Sequence, residues 1–321
     1  MEPVRTDDVG FEDYGHKKIF HIDKKLSKSV LITGAGSYIG KSFTGYCESH
    51  YPNIRCTSID MVDGSWRDYD FSGFDTVFHV AGIAHADVGR VLLSAQEEYY
   101  KINTDLAIET AKKAKAAGCA QFIFMSSMIV YGGQDYVTEY TEPKPLNFYG
   151  NSKWLADKGI RFLASEVEEK GSFKVATLRP PMIYGKGSKG NYRRLSSLAK
   201  QMPCFPAVDN RRSMLYIDNF CEFVSLLTLS GESGVYFPQN REYSNTGELV
   251  KLIRAAHGKK VRLSKELAVG AKMAERMPIR RMREQVGKAF ASSYYDSVLS
   301  VYDGLEYQVV GLEDSIRLTE S

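Results

Sequence analysis

The sequence predicts an α/β protein built on a doubly wound parallel sheet, with a smaller C-terminal lobe. Short apolar stretches typical of buried strands recur through the first 180 residues, and helical stretches separate several of them. The predicted strands cover residues 30–32, 54–59, 76–80, 121–125 and 175–178. Because helices that join parallel strands form right-handed βαβ units, this alternation indicates a sheet covered by helices on both faces.

The helical stretches set the domain organisation. They cover residues 38–49, 97–117, 148–170 and 218–229, and Gly118 and Gly171 end the second and third of them. We expect the helix at 218–229 and a strand at 234–237 to return to the main sheet. The predicted units are an N-terminal extension (1–27), a main domain (28–179, with 214–237) and a smaller lobe (180–213 and 238–321). The extension has no periodicity and is not expected to carry the chemistry.

Composition and charge exclude several classes of protein. Hydrophobic residues make up 43% of the chain, charged residues 25%, and the formal charge is only +3, so a nucleic-acid-binding surface is not expected. The five cysteines lie far apart without a CxxC pair, and no histidine pair has metal-ligand spacing, which predicts reduced thiols and no metal site. A polar N-terminus and the lack of a long apolar run predict a cytoplasmic protein without a signal peptide or membrane span.

A glycine-rich turn follows the first strand. The stretch VLITGAGSYIG places Gly34, Gly36 and Gly40 between a strand and a helix. Glycine lets the backbone approach a pyrophosphate, and the helix N-terminus stabilises the negative charge. The alternative is a tight turn without a ligand, but the strand–turn–helix context favours a dinucleotide site.

An acidic residue ends the second strand. Asp60 lies about 26 residues after Gly34, the spacing of a carboxylate that binds adenosine-ribose hydroxyls. A carboxylate there repels a 2′-phosphate and favours NAD over NADP. Asp63 could share this role, whereas Arg55 and Arg67 leave NADP possible.

Two further patterns are typical of hydride-transfer enzymes. Tyr149 and Lys153 lie one helical turn apart, so the ammonium is expected to lower the phenol pKa from about 10. Such a tyrosine can take a hydroxyl proton as hydride leaves the same carbon, or return it. Ser126 and Ser127 follow an apolar strand at the edge where a doubly wound sheet binds ligands. The alternatives are an exposed helix start and two serines that cap a turn.

Together these motifs resemble the extended short-chain dehydrogenases/reductases of the nucleotide-sugar epimerase/dehydratase family, over roughly residues 28–315. The matching segments are TGAGSYIG, VFHVAG, Asn103, SSMIVYG, YGNSK and RPPMIYGKG. The resemblance implies that the main domain is an NAD-binding Rossmann domain and that the smaller lobe binds substrate. One departure is Ser37, which replaces the middle glycine of the family's TGxxGxxG.

The resemblance also assigns residues to roles. The catalytic residues implied are Ser127, Tyr149 and Lys153. The cofactor-binding residues implied are Gly34, Gly36, Ser37, Tyr38, Ile39, Gly40, Asp60, Asp70, Phe71, Ala81, Gly82, Tyr149, Lys153 and Pro180, with Asp70 and Phe71 beside the adenine. The substrate-binding residues implied are Ser127, Tyr149, Asn191 and Arg212, with Arg212 on the nucleotide diphosphate. The alternative for this last role is that Arg211 and Arg212 form a solvated pair on a loop.

The resemblance leaves two reactions open. The family's dehydratases carry an Asp-Glu pair where this chain has Met128 and Ile129, so dehydration is not expected. A 4-epimerase would use tightly held NAD to invert C4 of a UDP-hexose or UDP-N-acetylhexosamine through a 4-keto intermediate, in polysaccharide biosynthesis. The alternative is an NAD(P)H-dependent 4-ketoreductase of a UDP-4-keto-6-deoxy sugar. A non-catalytic dinucleotide-binding protein is a third possibility, which the presence of both Tyr149 and Lys153 disfavours.

Further expectations concern the sugar pocket, a basic helix, two histidines and the assembly of the chain. Ser292 and Ser293 lie near the place where the family gates the sugar's C2 substituent, and we expect a basic helix at 272–288 to be a solvated face. His79 is expected to pack in its strand, whereas His85 could line the sugar pocket. The family also implies a homodimer that packs the helix around 103–115 against the one after Tyr149. The nucleotide is UDP by resemblance alone.

Overall fold

A computed structural model describes residues 13–84, 93–165, 172–274 and 291–321. The strands are β1 (Lys28–Thr33), β2 (Ile54–Ile59), β3 (Thr76–His79), β4 (Gln121–Met125), β5 (Tyr136–Val137), β6 (Lys174–Leu178), β7 (Met182–Tyr184), β8 (Cys204–Pro206), β9 (Met214–Tyr216), β10 (Gly234–Tyr236), β11 (Arg262–Ser264) and β12 (Tyr294–Tyr295). The helices are α1 (Tyr38–His50), α2 (Leu93–Tyr100), α3 (Leu106–Ala116), α4 (Phe148–Ser165), α5 (Asn191–Gln201), α6 (Ile217–Ser230), α7 (Thr246–Ala256), α8 (Lys265–Ala274) and α9 (Leu312–Glu320).

Six parallel strands form the main sheet, in the order β2-β1-β3-β4-β6-β10. Val30 of β1 pairs with Cys56 of β2 on one side and with Thr76 of β3 on the other. The chain therefore places β2 on one side of β1 and then crosses to the other side. This change of direction between β1 and β3 is the switch point at which doubly wound sheets bind ligands, and it confirms the predicted fold class.

Both faces of the sheet are buried. Val30 and Ile32 of β1 pack in one core cluster with Phe43 of α1 and Phe220 of α6. The intervening Leu31 packs in a second cluster that contains residues of α3 and α4. Because successive side chains of a strand point to opposite faces, helices on both sides require continuous apolar runs, which is what the sequence shows.

The helical stretch predicted at 97–117 is not one regular helix. A π-helical turn, Lys101–Asp105, separates α2 from α3. Within it the Thr104 hydroxyl donates to the Ser152 carbonyl (2.7 Å), and the Asn103 amide donates to the Ser152 hydroxyl (3.1 Å). These contacts tie the π-helical turn to α4. Of the helix predicted at 148–170, the last five residues lie outside the described chain.

The N-terminal extension packs onto the fold from residue 13 onward. Phe20 is 4% exposed and contacts Tyr236 and Tyr302, with ring centroids 6.2 and 6.1 Å away. Tyr14 forms a parallel bridge with Val235 of the edge strand β10. The extension therefore covers one edge of the sheet.

The rest of the chain builds small sheets beside the main one. β7 pairs with β9, β8 with β11, and β5 with β12, all in parallel. The β5–β12 pair ties the loop before α4 to the C-terminal part. All five cysteines are free thiols. His85 and most of the basic stretch at 272–288 lie outside the described residues, within which no helix is long and apolar enough to cross a membrane.

Candidate active site

The glycine turn lies where β1 meets α1, at the switch point. Gly34 and Gly36 have φ values of +91° and +83°, a region that favours glycine. A Cβ on Gly34 would lie 3.0 Å from the Ala81 Cα in the turn after β3, so the two turns are in close contact.

Ser37 replaces the family's middle glycine without backbone strain. Its φ and ψ of −64° and 149° are open to any residue, and its hydroxyl accepts the Gly40 N–H (3.0 Å) as the N-cap of α1. The other early N–H groups of a helix lack intrahelical acceptors and can bind an anion. The positive-φ glycines, the helix start and the switch point together fit a dinucleotide pyrophosphate. Tyr38 and Ile39 instead turn their side chains against the core.

The residues predicted around the adenosine occupy different surroundings. Asp60 is exposed beyond β2, and its Oδ1 accepts the Val62 N–H (2.8 Å). Asp70 is also exposed and accepts the Ser72 N–H (2.9 Å), which with the Ser72 hydroxyl lowers the pKa of Asp70. The Phe71 ring is 1% exposed in the core. The predicted position of Phe71 beside an adenine is therefore not supported by an exposed surface of this residue.

Arg67, one of the two arginines that left NADP possible, is engaged elsewhere. Its Nε and Nη2 donate to the two carboxylate oxygens of Glu109 at 2.5 and 2.6 Å, and its guanidinium lies 4.7 Å from the centroid of the Trp66 ring. A guanidinium in a bidentate pair is less available to a 2′-phosphate. This favours the predicted preference for NAD.

The turn after β3, which carries Ala81 and Gly82, lies against Asn103 and Lys153. A Cβ on Gly82 would lie 2.9 Å from the Asn103 Oδ1 and 3.0 Å from the Lys153 Nζ. Asn103 in turn accepts the Ile83 N–H (2.8 Å) and donates to the Ile83 carbonyl (3.1 Å). The π-helical turn therefore delivers Asn103 to this junction.

Lys153 is 5% exposed, and its Nζ donates to the Met125 carbonyl (2.9 Å) at the end of β4. Burial lowers the pKa of Lys153 to about 8. Burial raises the pKa of Tyr149 to about 12, and a hydrogen bond with Ser127 opposes this only in part. The Tyr149 pKa is therefore raised and not lowered as expected, because desolvation of the phenolate is the largest influence on it.

Ser127 and Pro180 meet beside Tyr149. Ser127 caps the 3₁₀ turn Met128–Tyr131, where its hydroxyl accepts the Ile129 N–H (3.3 Å). The Pro180 carbonyl accepts the Met128 N–H (2.9 Å), which joins the ends of β4 and β6. The structure therefore brings Ser127, Tyr149, Lys153 and Pro180 to the edge of the sheet that carries the glycine turn.

The predicted substrate residues are only partly brought together. Arg212 is half-buried, burial lowers its pKa, and its backbone bridges Ser244 and Ser293. The Ser293 hydroxyl contacts the Met128 sulfur (3.6 Å), which places Ser293 next to the 3₁₀ turn that Ser127 caps. Asn191 is exposed at the first position of α5, and no hydrogen bond in the described ranges ties it to the other candidates.

Sequence reasoning placed His79 correctly and missed a buried ion pair. His79 is fully buried between Phe122 and Phe124, and burial lowers its pKa to about 3. The missed residues are Asp157 and Arg179, paired at 2.9 Å next to Ser126 and to Tyr131, on either side of Ser127. Their signal was present: Asp157 lies four residues after Lys153, on the same helix face, and Arg179 precedes Pro180.

Comparisons with known proteins agree with this geometry. The profile of the NAD dependent epimerase/dehydratase family matches residues 30–237, well over half of the chain. The chain belongs to this family. As a member, it is an NAD-dependent epimerase or reductase of the extended short-chain dehydrogenase/reductase type, as the sequence predicted.

Individual relatives carry the epimerase name. The chain is 28% identical over 255 residues to the N-acetyl-alpha-D-glucosaminyl-diphospho-ditrans,octacis-undecaprenol 4-epimerase of Escherichia coli O157:H7, covering 74% of each chain. It is 28% identical to the UDP-glucose 4-epimerase of Vibrio cholerae over 229 residues, 63% of this chain and 67% of the other.

A solved structure matches over most of the chain. The dTDP-4-dehydrorhamnose reductase of Bacillus anthracis in complex with NADP superposes with a TM-score of 0.64, at 18% identity, covering 91% of this chain and 98% of that one. At this identity the similarity establishes the shared fold.

Proposed function

We propose that this protein is an NAD-dependent 4-epimerase of a hexose or N-acetylhexosamine that is linked through a diphosphate to its carrier, with UDP as the carrier. One observation carries the proposal. Ser127, Tyr149 and Lys153 are grouped at the sheet edge, and Lys153 Nζ lies only 3.0 Å from the position a Cβ on Gly82 would take. Lys153, one of the three proposed catalytic residues, therefore lies against the proposed cofactor turn.

The chain's own residues supply the proton chemistry. Ser127 holds the sugar O4 by a hydrogen bond, and Tyr149, as the phenolate, takes the O4 proton when C4 is oxidised and returns it to O4 when the ketone is reduced. The Lys153 ammonium, held by the Met125 carbonyl, stabilises the phenolate that forms when Tyr149 has given up its proton. When held at the Gly34–Gly36 turn and the start of α1, NAD would supply the hydride acceptor for oxidation at C4 and the hydride donor for reduction from the opposite face. The resulting C4 ketone becomes an alcohol of inverted configuration.

Two carriers present the same diphosphate-linked sugar. The E. coli relative is named for a sugar on a polyprenyl diphosphate, and the V. cholerae relative for UDP-glucose. Arg212, half-buried and backbone-paired with Ser293, is suited to the diphosphate that both carriers share. We propose UDP as the carrier of the sugar. The test below includes a lipid-linked sugar, so it distinguishes the two carriers.

A 4-ketoreductase is the second candidate. The segments that contain Gly190–Asn191 and Arg211–Arg212–Ser213 resemble the substrate-binding segments of epimerases and of 4-ketoreductases from polysaccharide pathways, and their spacing is closer to the ketoreductases. Ser127, Tyr149 and Lys153 serve both reactions, because both exchange a proton at O4 and a hydride at C4. The two differ in whether NAD is retained between turnovers.

A homodimer is also part of the proposal. Leu155 and Phe162 of α4 are 36% and 58% exposed, although both side chains are large and apolar. An apolar α4 surface beside α3 supports packing against the same surface of a second copy. Cytoplasmic polysaccharide biosynthesis is the proposed setting.

The test measures cofactor and turnover together. The protein is purified without added cofactor and denatured, and the released nucleotide is quantified. Turnover of UDP-glucose, UDP-N-acetylglucosamine and a short polyprenyl diphosphate-linked N-acetylglucosamine is followed without added NAD. We expect about one NAD per chain and C4 inversion of a UDP-sugar.

The matched variant is Tyr149→Phe, which keeps the ring and removes the hydroxyl. It should retain NAD and lose at least about 100-fold in turnover. If only the lipid-linked sugar is inverted, the carrier is the polyprenyl diphosphate and not UDP. An empty cofactor site, with NAD(P)H consumed only when a 4-keto-6-deoxy sugar nucleotide is present, would establish the reductase.

A further inference from the structure

A buried charged network lies directly beneath residues 127–131, which we call the catalytic turn because it begins with Ser127. Asp157 and Arg179 are both 0% exposed, and the Arg179 Nε donates to the Asp157 Oδ2 at 2.9 Å. The other carboxylate oxygen, Oδ1, accepts the Arg161 Nε at 2.7 Å. Burial alone would raise the pKa of Asp157, but the two guanidinium groups hold it below its ordinary value. The carboxylate is therefore charged and fixed from both sides.

The network reaches the catalytic turn at two points. The Ser126 hydroxyl, adjacent in sequence to Ser127, donates to the Asp157 Oδ2 at 3.4 Å. The Arg179 Nη1 donates to the Tyr131 hydroxyl at 2.6 Å, and Tyr131 ends the 3₁₀ turn that Ser127 caps. The turn that carries Ser127 is thus held before and after that residue.

The same arginine also reaches the C-terminal part of the chain. The Tyr295 hydroxyl donates to the Arg179 carbonyl at 2.7 Å, and the Tyr295 ring packs edge-on against Tyr131. Tyr295 lies two residues after Ser293, which contacts Met128 beside the catalytic serine. Arg179 also precedes Pro180, whose carbonyl holds the Met128 N–H. The arginine therefore joins the end of β6 to α4, to β12 and to the 3₁₀ turn after β4.

We propose that Asp157 and Arg179 are positioning residues, which fix the catalytic turn and strand β12 in one arrangement around the reacting sugar. They touch neither substrate nor cofactor and act through Ser127 and Ser293. A buried ion pair suits this role because its geometry is narrow, whereas an apolar contact tolerates sliding. A catalytic hydroxyl displaced by about 1 Å loses about 100-fold in rate. The inference rests on the proposed function only in that Ser127 acts on the sugar.

Direct removal of the pair would be ambiguous, since a buried charge left without its partner can unfold the protein. The test therefore uses Tyr131→Phe, which removes one acceptor of the Arg179 guanidinium and keeps the ring. The matched control is Tyr51→Phe, which removes a tyrosine hydroxyl that donates to the buried Glu222 (2.6 Å) on the α1–α6 side of the sheet. Both variants lose one buried hydrogen bond to a charged group.

The first measurement is amide hydrogen exchange of peptides that cover 126–132 and 291–296. Tyr131→Phe should raise exchange in both peptides by about three- to tenfold, as expected for the loss of one hydrogen bond, and Tyr51→Phe in neither. A change confined to 126–132, or no change, would overturn the proposed connection to β12. This measurement needs no substrate, so it decides the inference even if no sugar is turned over and the proposed function fails.

The second measurement is a double-mutant cycle on kcat with Ser127→Ala. Alone, Tyr131→Phe should lower kcat by about tenfold, with KM changed less than about twofold. In the Ser127→Ala background it should have no further effect, because the residue it positions is gone. Additive losses in kcat would show that Tyr131, and with it the ion pair, does not act through Ser127.

Discussion

At the scale of single residues, the buried charge of Lys153 destabilises the fold, although the proposed reaction needs this residue. Its ammonium is buried, with the Met125 carbonyl as a hydrogen-bond acceptor, and burial lowers its pKa to about 8. Between pH 8 and the ordinary value of about 10.4, the unfolded chain binds a proton that the folded chain has lost. Stability contributed by this residue therefore rises with pH across that window and is lowest below pH 8.

The first prediction follows from that sign. Lys153→Met should abolish turnover but raise the free energy of unfolding at pH 7 by about 1–3 kcal/mol, because the desolvated charge is gone. The advantage should shrink as pH rises from 8 toward 10.4. Urea unfolding of both proteins at pH 7 and pH 10 measures it. A variant that is less stable at pH 7 would contradict a destabilising buried charge.

At the scale of secondary-structure elements, turns position the site more than helices do. The turn after β3 presses Gly82 against the Asn103 Oδ1 and the Lys153 Nζ, so the site has no space for a side chain there. Asn103 reaches this junction from the π-helical turn between α2 and α3. π-Helical turns occur frequently at functional sites.

The second prediction concerns that contact. Gly82→Ala should lower turnover by about 100-fold and destabilise the fold by about 1–3 kcal/mol, since the new Cβ displaces Lys153 and Asn103. The control is Gly45→Ala in α1, where a Cβ meets open space. That change should leave turnover intact and stabilise the fold by about 0.5–1 kcal/mol. Thermal unfolding and steady-state rates of both variants would check this, and equal rates would contradict the displacement.

At the scale of the whole molecule, the N-terminal extension is part of the folded core. Its Tyr14 pairs with the edge strand β10, and Phe20 lies between Tyr236 and Tyr302. A covered edge is also protected from pairing with another chain.

The third prediction compares the loss of unfolding free energy at two neighbouring residues, one buried and one exposed. Phe20→Ala should cost about 3–5 kcal/mol of unfolding free energy, because Phe20 is 4% exposed. Ile19→Ala should cost less than about 0.5 kcal/mol, because Ile19 is 67% exposed. Chemical denaturation measures both, and equal losses would show that the extension does not contribute through Phe20.

The fourth prediction addresses assembly. If α4 packs against a second copy, Phe162→Asp should convert a dimer into a monomer, because it places a charge in an apolar interface. Analytical ultracentrifugation of the native protein and the variant decides this. Tyr140→Asp, at a site that is 86% exposed on the loop before α4, is the control and should remain a dimer. A monomeric native protein would reject the proposal outright.

The sequence by itself determined the fold class and the strands of the main sheet, and the family resemblance assigned Ser127, Tyr149 and Lys153 to one site. The fold and the spacing follow from local rules: buried strands need apolar runs, the Gly34 turn needs glycine, and a helical turn spaces Tyr149 from Lys153. Only the tertiary structure decided the π-helical turn, the core position of Phe71, the raised Tyr149 pKa and the pair of Asp157 and Arg179. Each of these depends on desolvation or on contacts between segments far apart in the chain, and neither is encoded in the spacing of neighbouring residues.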